Sequence, residues 1–176
     1  MELKAELDDY KTILIILPPM EYNEMVVDFA RQLSGKGVIY ISLNKTFSSL
    51  KEIFDRKKVD YSKFLFIDGI TKSISNPPAD KIENCHFLDS RNGMTQVMIF
   101  LSKLLDENYD FVVLDSFTNL LIYNNEQEVL KFFSGLAAKV KEKNKHGLFY
   151  ALASKEKQTA IQESVMFVDR AIDLSR

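Results

Sequence analysis

The sequence predicts an α/β fold, a three-layer α/β/α sandwich built around a mostly parallel sheet. Two observations carry this. Short runs rich in β-branched and aromatic residues alternate with amphipathic stretches along nearly all of the 176 residues. Several of those runs are apolar at consecutive positions, as in strands covered on both faces. Such alternation calls for parallel strands joined by right-handed crossovers.

The elements follow in order. Thr12 to Leu17 (TILIIL) is the first strand, and the pattern from Glu21 to Ser34 is a helix closed by the glycines of SGKG. Val38 to Ser42 (VIYIS) is a strand, Ser48 to Arg56 a helix, and Phe64 to Asp68 (FLFID) a third strand. Ser73 to Asn84 (SISNPPADKIEN) is a surface loop, because Ser, Asn and paired prolines break both periods. Cys85 to Leu88 is a short strand. From Met94 to Asn108 the helical period is clear, with Val97, Phe100, Leu101, Leu104 and Leu105 on one stripe and Lys103 and Glu107 outside it. Phe111 to Asp115 (FVVLD) is a strand. Glu126 to Asn144 is a helix for which NKHG supplies the terminating glycine. Gly147 to Ala153 (strand), Lys157 to Phe167 (helix) and Arg170 to Leu174 (strand) complete the chain. No repeat interrupts this order, so residues 1–176 read as a single domain.

Composition excludes several function classes. With 23 basic and 25 acidic residues the net charge is −2, so no global field attracts nucleic acid or an anionic membrane. Cys85 stands alone in an apolar run, which reads as a buried thiol in a reducing compartment. Its neighbour His86 would point to the opposite face of a strand and could not serve as its base. The N-terminus MELKAELDDYK is acidic and polar, unlike a signal peptide, and no apolar run approaches the ~18 residues that span a bilayer. A cytoplasmic protein without a membrane segment is expected.

In an open α/β sheet, ligands bind beyond the carboxyl ends of the strands. The segments there resemble, in their order, the RecA/KaiC-like branch of the P-loop ATPases. FVVLDSFTNLL is similar to the Walker B strand of that family, and ILIILPPMEYNEMVVDFARQL stands in the place of its Walker A segment, Pro-Pro included. GVIYISLNKTFSSLKEIF is similar to the second strand and helix, and VMFVDRAIDLS to a late strand. The resemblance runs from Thr12 nearly to the end and implies a RecA-like sheet.

It also implies where the chemistry would have been. A Walker A loop, G-x-x-x-x-G-K-[ST], wraps phosphates in backbone N–H groups, supplies a lysine for charge and a hydroxyl for Mg²⁺. Aligned on Pro18 and Pro19, this chain has Leu17 and Tyr22 at the glycine positions, Asn23 at the lysine and Glu24 at the hydroxyl. Glu21 and Glu24 would cap the following helix and repel a phosphate from its N-terminus. Asn44 and Lys45 stand where the resemblance implies a catalytic glutamate. The chain ends at Arg176, just past RAIDL, where KaiC-like domains continue into hairpins that reach a neighbour's nucleotide, so an arginine finger in trans is not expected. Asp115 and Ser116 remain as the Walker B remnant. Asp115 has two readings: a residue that holds Mg²⁺ through water, or a strand-end carboxylate bonded at its own turn.

The expectation is therefore a degenerate RecA/KaiC-like domain, with no catalytic residue, no metal and no required cofactor, acting through a protein partner or as a homo-oligomer. The alternative is a nucleotide-binding regulator that holds ATP or ADP through Asp115, Lys45 or Lys155 without the standard loop. In it, Asp115, Ser116, Asn23 and Glu24 would be the residues at the nucleotide. A phospho-acceptor site using Asp68 or Asp115 with Lys155 lacks the paired acids after the first strand, where LPP stands. His86 and His146 do not share metal-ligand spacing with acids or Cys85. Lys139, Lys141, Lys143 and Lys145 form a basic run without interleaved aromatics for base stacking, so a nucleic-acid partner is not expected. LLIYNN, Leu120 to Asn125, reads as an apolar loop that needs cover, either from the sheet's own edge or from a subunit. Met20, Tyr22 and Met25 allow the same two readings.

Overall fold

A computed structural model describes residues 1–77, 82–88 and 93–175 of the chain. Seven strands form one sheet: β1 (Thr12–Leu17), β2 (Val38–Ser42), β3 (Phe64–Asp68), β4 (Cys85–Phe87), β5 (Phe111–Asp115), β6 (His146–Leu152) and β7 (Arg170–Asp173). Their order across the sheet is β4-β3-β2-β5-β6-β1-β7. All pairings are parallel. The helices are α1 (Leu3–Asp9), α2 (Tyr22–Gln32), α3 (Phe47–Arg56), α4 (Thr71–Ile74), α5 (Gly93–Leu104), α6 (Phe117–Tyr123), α7 (Glu126–Glu142) and α8 (Gln158–Ser164), with a 3₁₀ turn at Val165–Phe167. This is the expected three-layer α/β/α arrangement.

The strands divide their side chains between two cores with period two. Ile13, Ile15, Leu17, Val38, Tyr40, Phe64, Phe66, Val113, Leu148 and Tyr150 pack under α1, α2 and α3. The alternate residues, among them Leu14, Ile39, Ile41, Val112, Leu114 and Phe149, pack under α5, α6, α7 and α8. Both faces are covered, which is why the strands read as continuous apolar runs. At the carboxyl end of the sheet the register aligns Asp68, Ser42, Asp115 and Tyr150 side by side. That polar row sets the position of the site.

Three short helices lie where the sequence showed none. In α1 only Leu3 is buried, with its N–H bonded to Gln32 Oε1 at 2.7 Å, and a single anchor leaves no period to read. The stretch expected as an apolar loop is in part α6, with Phe117, Thr118, Leu120 and Leu121 buried at helical spacing; seven residues are too few for that spacing to stand out. The short α4 follows Asp68, and residues 78–81 of the expected loop lie outside the described residues.

Helix ends depart in detail. Gly35, at φ +73°, follows α2 as anticipated. After α7 it is Asn144, at φ +55°, that takes the left-handed turn, not Gly147. Asn144 N donates to Lys141 O and Lys145 N to Val140 O, the paired bonds of a Schellman ending. No described helix is long and apolar enough to cross a membrane.

Candidate functional site

Asp115 ends β5 with its side chain on the α2/α3 side of the sheet and is 0% exposed. A buried carboxyl must be satisfied by hydrogen bonds. Here two phenols do this, one to each oxygen: Tyr40 Oη donates to Oδ2 at 2.7 Å, and Tyr22 Oη makes a short hydrogen bond to Oδ1. Tyr40 rises from β2, two residues below Ser42 on the same face, while Tyr22 descends from the first turn of α2. Tyr150 lies in register with Asp115 on β6. Burial first, and then the Asp115 charge, push the hydroxyls of Tyr22, Tyr40 and Tyr150 well above the ordinary tyrosine range. All three stay protonated, and Tyr22 and Tyr40 are permanent donors to the carboxyl.

Tyr22 is also covered from above. Lys45 Nζ lies 5.6 Å from its ring centroid, a cation–π contact from the loop after β2. The ring thus stands between an ammonium and a carboxyl and is 3% exposed. Glu21 precedes α2 without making a side-chain cap, against the capping role expected for it. Glu24 lies in the first turn, and Glu21, Asn23 and Glu24 are exposed.

Ser116 follows Asp115 through a cis peptide bond. Its hydroxyl donates to Asn119 Oδ1 at 2.6 Å and shares a 3.0 Å hydrogen bond with Thr118 Oγ1. Thr118 Oγ1 in turn accepts from Leu152 N at 3.0 Å. These bonds join the start of α6 to the end of β6.

No family profile and no curated protein matches the sequence. Among solved structures, the fold is similar to that of a KaiC-like protein from the hyperthermophilic archaeon Pyrococcus horikoshii OT3, with a TM-score of 0.62 over 93% of this chain and 71% of that chain. The chain has a KaiC-like fold. Sequence identity over the match is 12%, so the likeness concerns the path of the backbone. In this fold the start of α2 and the end of β5 meet at one corner, and the group that joins them is the Tyr22 phenol on Asp115. Asn23 and Glu24 remain on the surface.

The other sequence candidates find structural places. Asp68 accepts four bonds: from Phe47 N at 2.7 Å, Ile70 N at 2.8 Å, Thr71 N at 2.8 Å and Thr71 Oγ1 at 2.6 Å. It fastens the starts of α3 and α4 to β3, which leaves the phospho-acceptor reading no free carboxylate there. Each lysine of the basic run reaches a neighbour: Lys139 to Ser102 Oγ, Lys141 to Asp169, Lys143 to Asp106 and Lys145 to the Glu107 carbonyl. Cys85 is buried and burial pushes its thiol up to about 12, so it is inert at neutral pH. His86 stacks on Phe100 with ring centroids 4.8 Å apart.

Tyr40 and Tyr150 are the site residues that the sequence reading missed. Each is a tyrosine inside an otherwise apolar, doubly covered strand, and a buried phenol needs a partner. That signal points to a buried acceptor without saying which one.

Proposed function

We propose that this chain is a single degenerate RecA/KaiC-like domain that has lost ATPase chemistry and acts as a non-catalytic protein-interaction or regulatory module. The observation that carries the reading is the Tyr22 phenol bonded to the fully buried Asp115. A Walker B aspartate acts on Mg²⁺ through a water that must stand in front of it. In this chain Tyr22 fills that space and Tyr40 takes the second oxygen. The degenerate loop replaces the lysine and hydroxyl with Asn23 and Glu24, and the exposed Glu21 and Glu24 give an arriving phosphate repulsion at the start of α2. The two phenols and the carboxyl act as a strut joining α2, β2 and β5. Such a strut keeps the fold and frees the carboxyl edge for a protein partner or a second copy.

The test is calorimetric titration with Mg-ATP and with ADP at millimolar nucleotide, on the wild-type chain and on Asp115→Asn. No saturable heat is expected with either nucleotide. Saturable binding that Asp115→Asn weakens would overturn the reading in favour of a nucleotide-binding regulator.

A further inference from the structure

The seven residues of α1 contain little that would hold them in a helix. An isolated helix needs roughly 12–15 residues to be even marginally populated in water. Glu2, at the N-cap position, makes no side-chain cap, and the last turn has no basic residue while Asp8 and Asp9 oppose the helix dipole there. The helix forms nevertheless and closes with a bond from Tyr10 N to Glu6 O at 2.9 Å.

Its cap comes from another element. Gln32, the last residue of α2, accepts from Leu3 N through Oε1 at 2.7 Å and donates from Nε2 to Met1 O at 3.1 Å. One carboxamide thus satisfies an orphan N–H of the first turn and fixes the chain that enters it. Beside this clamp Leu3 is 1% exposed, and the half-buried Leu7 and Tyr10 pack against the core cluster that holds Phe29, Ala30 and Leu33. The tie at the other end is weaker. Arg170 of β7 lies 5.7 Å from the Tyr10 ring centroid, and its Nε is 3.7 Å from Glu6 Oε2 in a half-exposed pair.

We propose that residues 1–10 form a strap that is helical only while docked: Gln32 caps α1 from outside, and when this clamp lets go the strap opens as one unit from an otherwise intact fold. Nothing inside α1 replaces the lost cap, so helix and docking are lost together. The occupant of the seat beside Gln32 is therefore the chain's own first helix, and opening uncovers apolar surface of that core cluster while the sheet stays folded. Segments anchored by few buried side chains open in this way at a fraction of the global free energy. The strap shares no residue with the Tyr22 and Asp115 contact, so it stands or falls independently of the strut.

Native-state hydrogen exchange read by NMR tests it. In the wild type the Tyr10 amide is expected to be protected, yet to exchange at least about 100-fold faster than amides of β1 and β6 and with little dependence on sub-denaturing urea. Gln32→Ala is expected to speed that exchange by about tenfold or more, with β1 and β6 unchanged. Gln32→Glu, which keeps an acceptor for Leu3 N but loses the donor to Met1 O, falls between wild type and Gln32→Ala. Gln32 is exposed, so neither variant leaves a cavity. A Tyr10 amide that is unprotected in the wild type, or that exchanges only together with the sheet, overturns the proposal. So does a Gln32→Ala variant that leaves its rate unchanged or speeds the sheet equally, or a Gln32→Glu variant no slower than Gln32→Ala.

Discussion

Replacing Tyr22 by phenylalanine removes one oxygen and little else. The ring keeps its packing under α2 and its place beneath Lys45, so no cavity forms. What disappears is the donor to Asp115 Oδ1, in a site that is 0% exposed and to which water has no access. A hydrogen bond to a charged group contributes about 1.5–3 kcal/mol, and a buried acceptor left unmade costs toward the upper end of that range. For a chain of this size, a urea m-value of ~2 kcal/mol per molar turns this into a midpoint lowered by about 1–1.5 M with the slope unchanged. Urea unfolding followed by circular dichroism reads it directly. Tyr40→Phe is expected to behave alike, and the double variant to lose more than the sum, since Asp115 then keeps neither phenol; the coupling should be on the order of 1 kcal/mol. Asn23→Ala, on the surface one residue away, stays within about 0.5 kcal/mol of wild type. If Tyr22→Phe falls inside that same narrow range, the phenol is not a strut.

Two further outcomes follow from the same contacts. Asp68→Ala strands the N–H groups of Phe47, Ile70 and Thr71 in a buried corner, so a loss of about 3 kcal/mol is expected, with hydrogen exchange at the starts of α3 and α4 accelerating before the rest of the fold. His146 stacks on Phe111, and burial first, then the Lys11 charge, hold its pKa below the ordinary histidine value against a backbone hydrogen bond at Tyr10 that raises it. The unfolded chain therefore takes up a proton near pH 6.5 that the folded chain refuses. Stability is full above that pH, declines as pH falls below it, and levels off once the folded state also protonates. Urea midpoints at pH 8 and pH 5.5 measure the decline, and His146→Phe should flatten it; an unchanged slope refutes the assignment.

The strands were legible because both faces of each are covered. TILIIL, VIYIS, FLFID and FVVLD begin and end in the structure where their apolar runs do. The longer helices were legible for the complementary reason that one stripe is buried, as in α5 and α7. Short elements were not: α6 owes its form to Thr118 bonding Leu152 and Lys157 bonding Leu121, contacts across more than thirty residues that no local pattern contains. Likewise β6 begins at His146, one residue early, because that residue pairs with Phe111 on the neighbouring strand.

At the site the division is equally clear. Residue order alone shows that residues 17–24 carry no glycine, lysine, serine or threonine, and that Asp115 closes an apolar strand. Those are properties of residue type and order. It took the folded chain to bring Tyr22 onto Asp115 across 93 positions of sequence, to add Tyr40, and to leave Met20 outside. Which polar group meets a buried carboxyl depends on strand register and on where α2 lands over the sheet. The cost of leaving that carboxyl unsatisfied makes the choice of partners obligatory once the fold brings the phenols within reach.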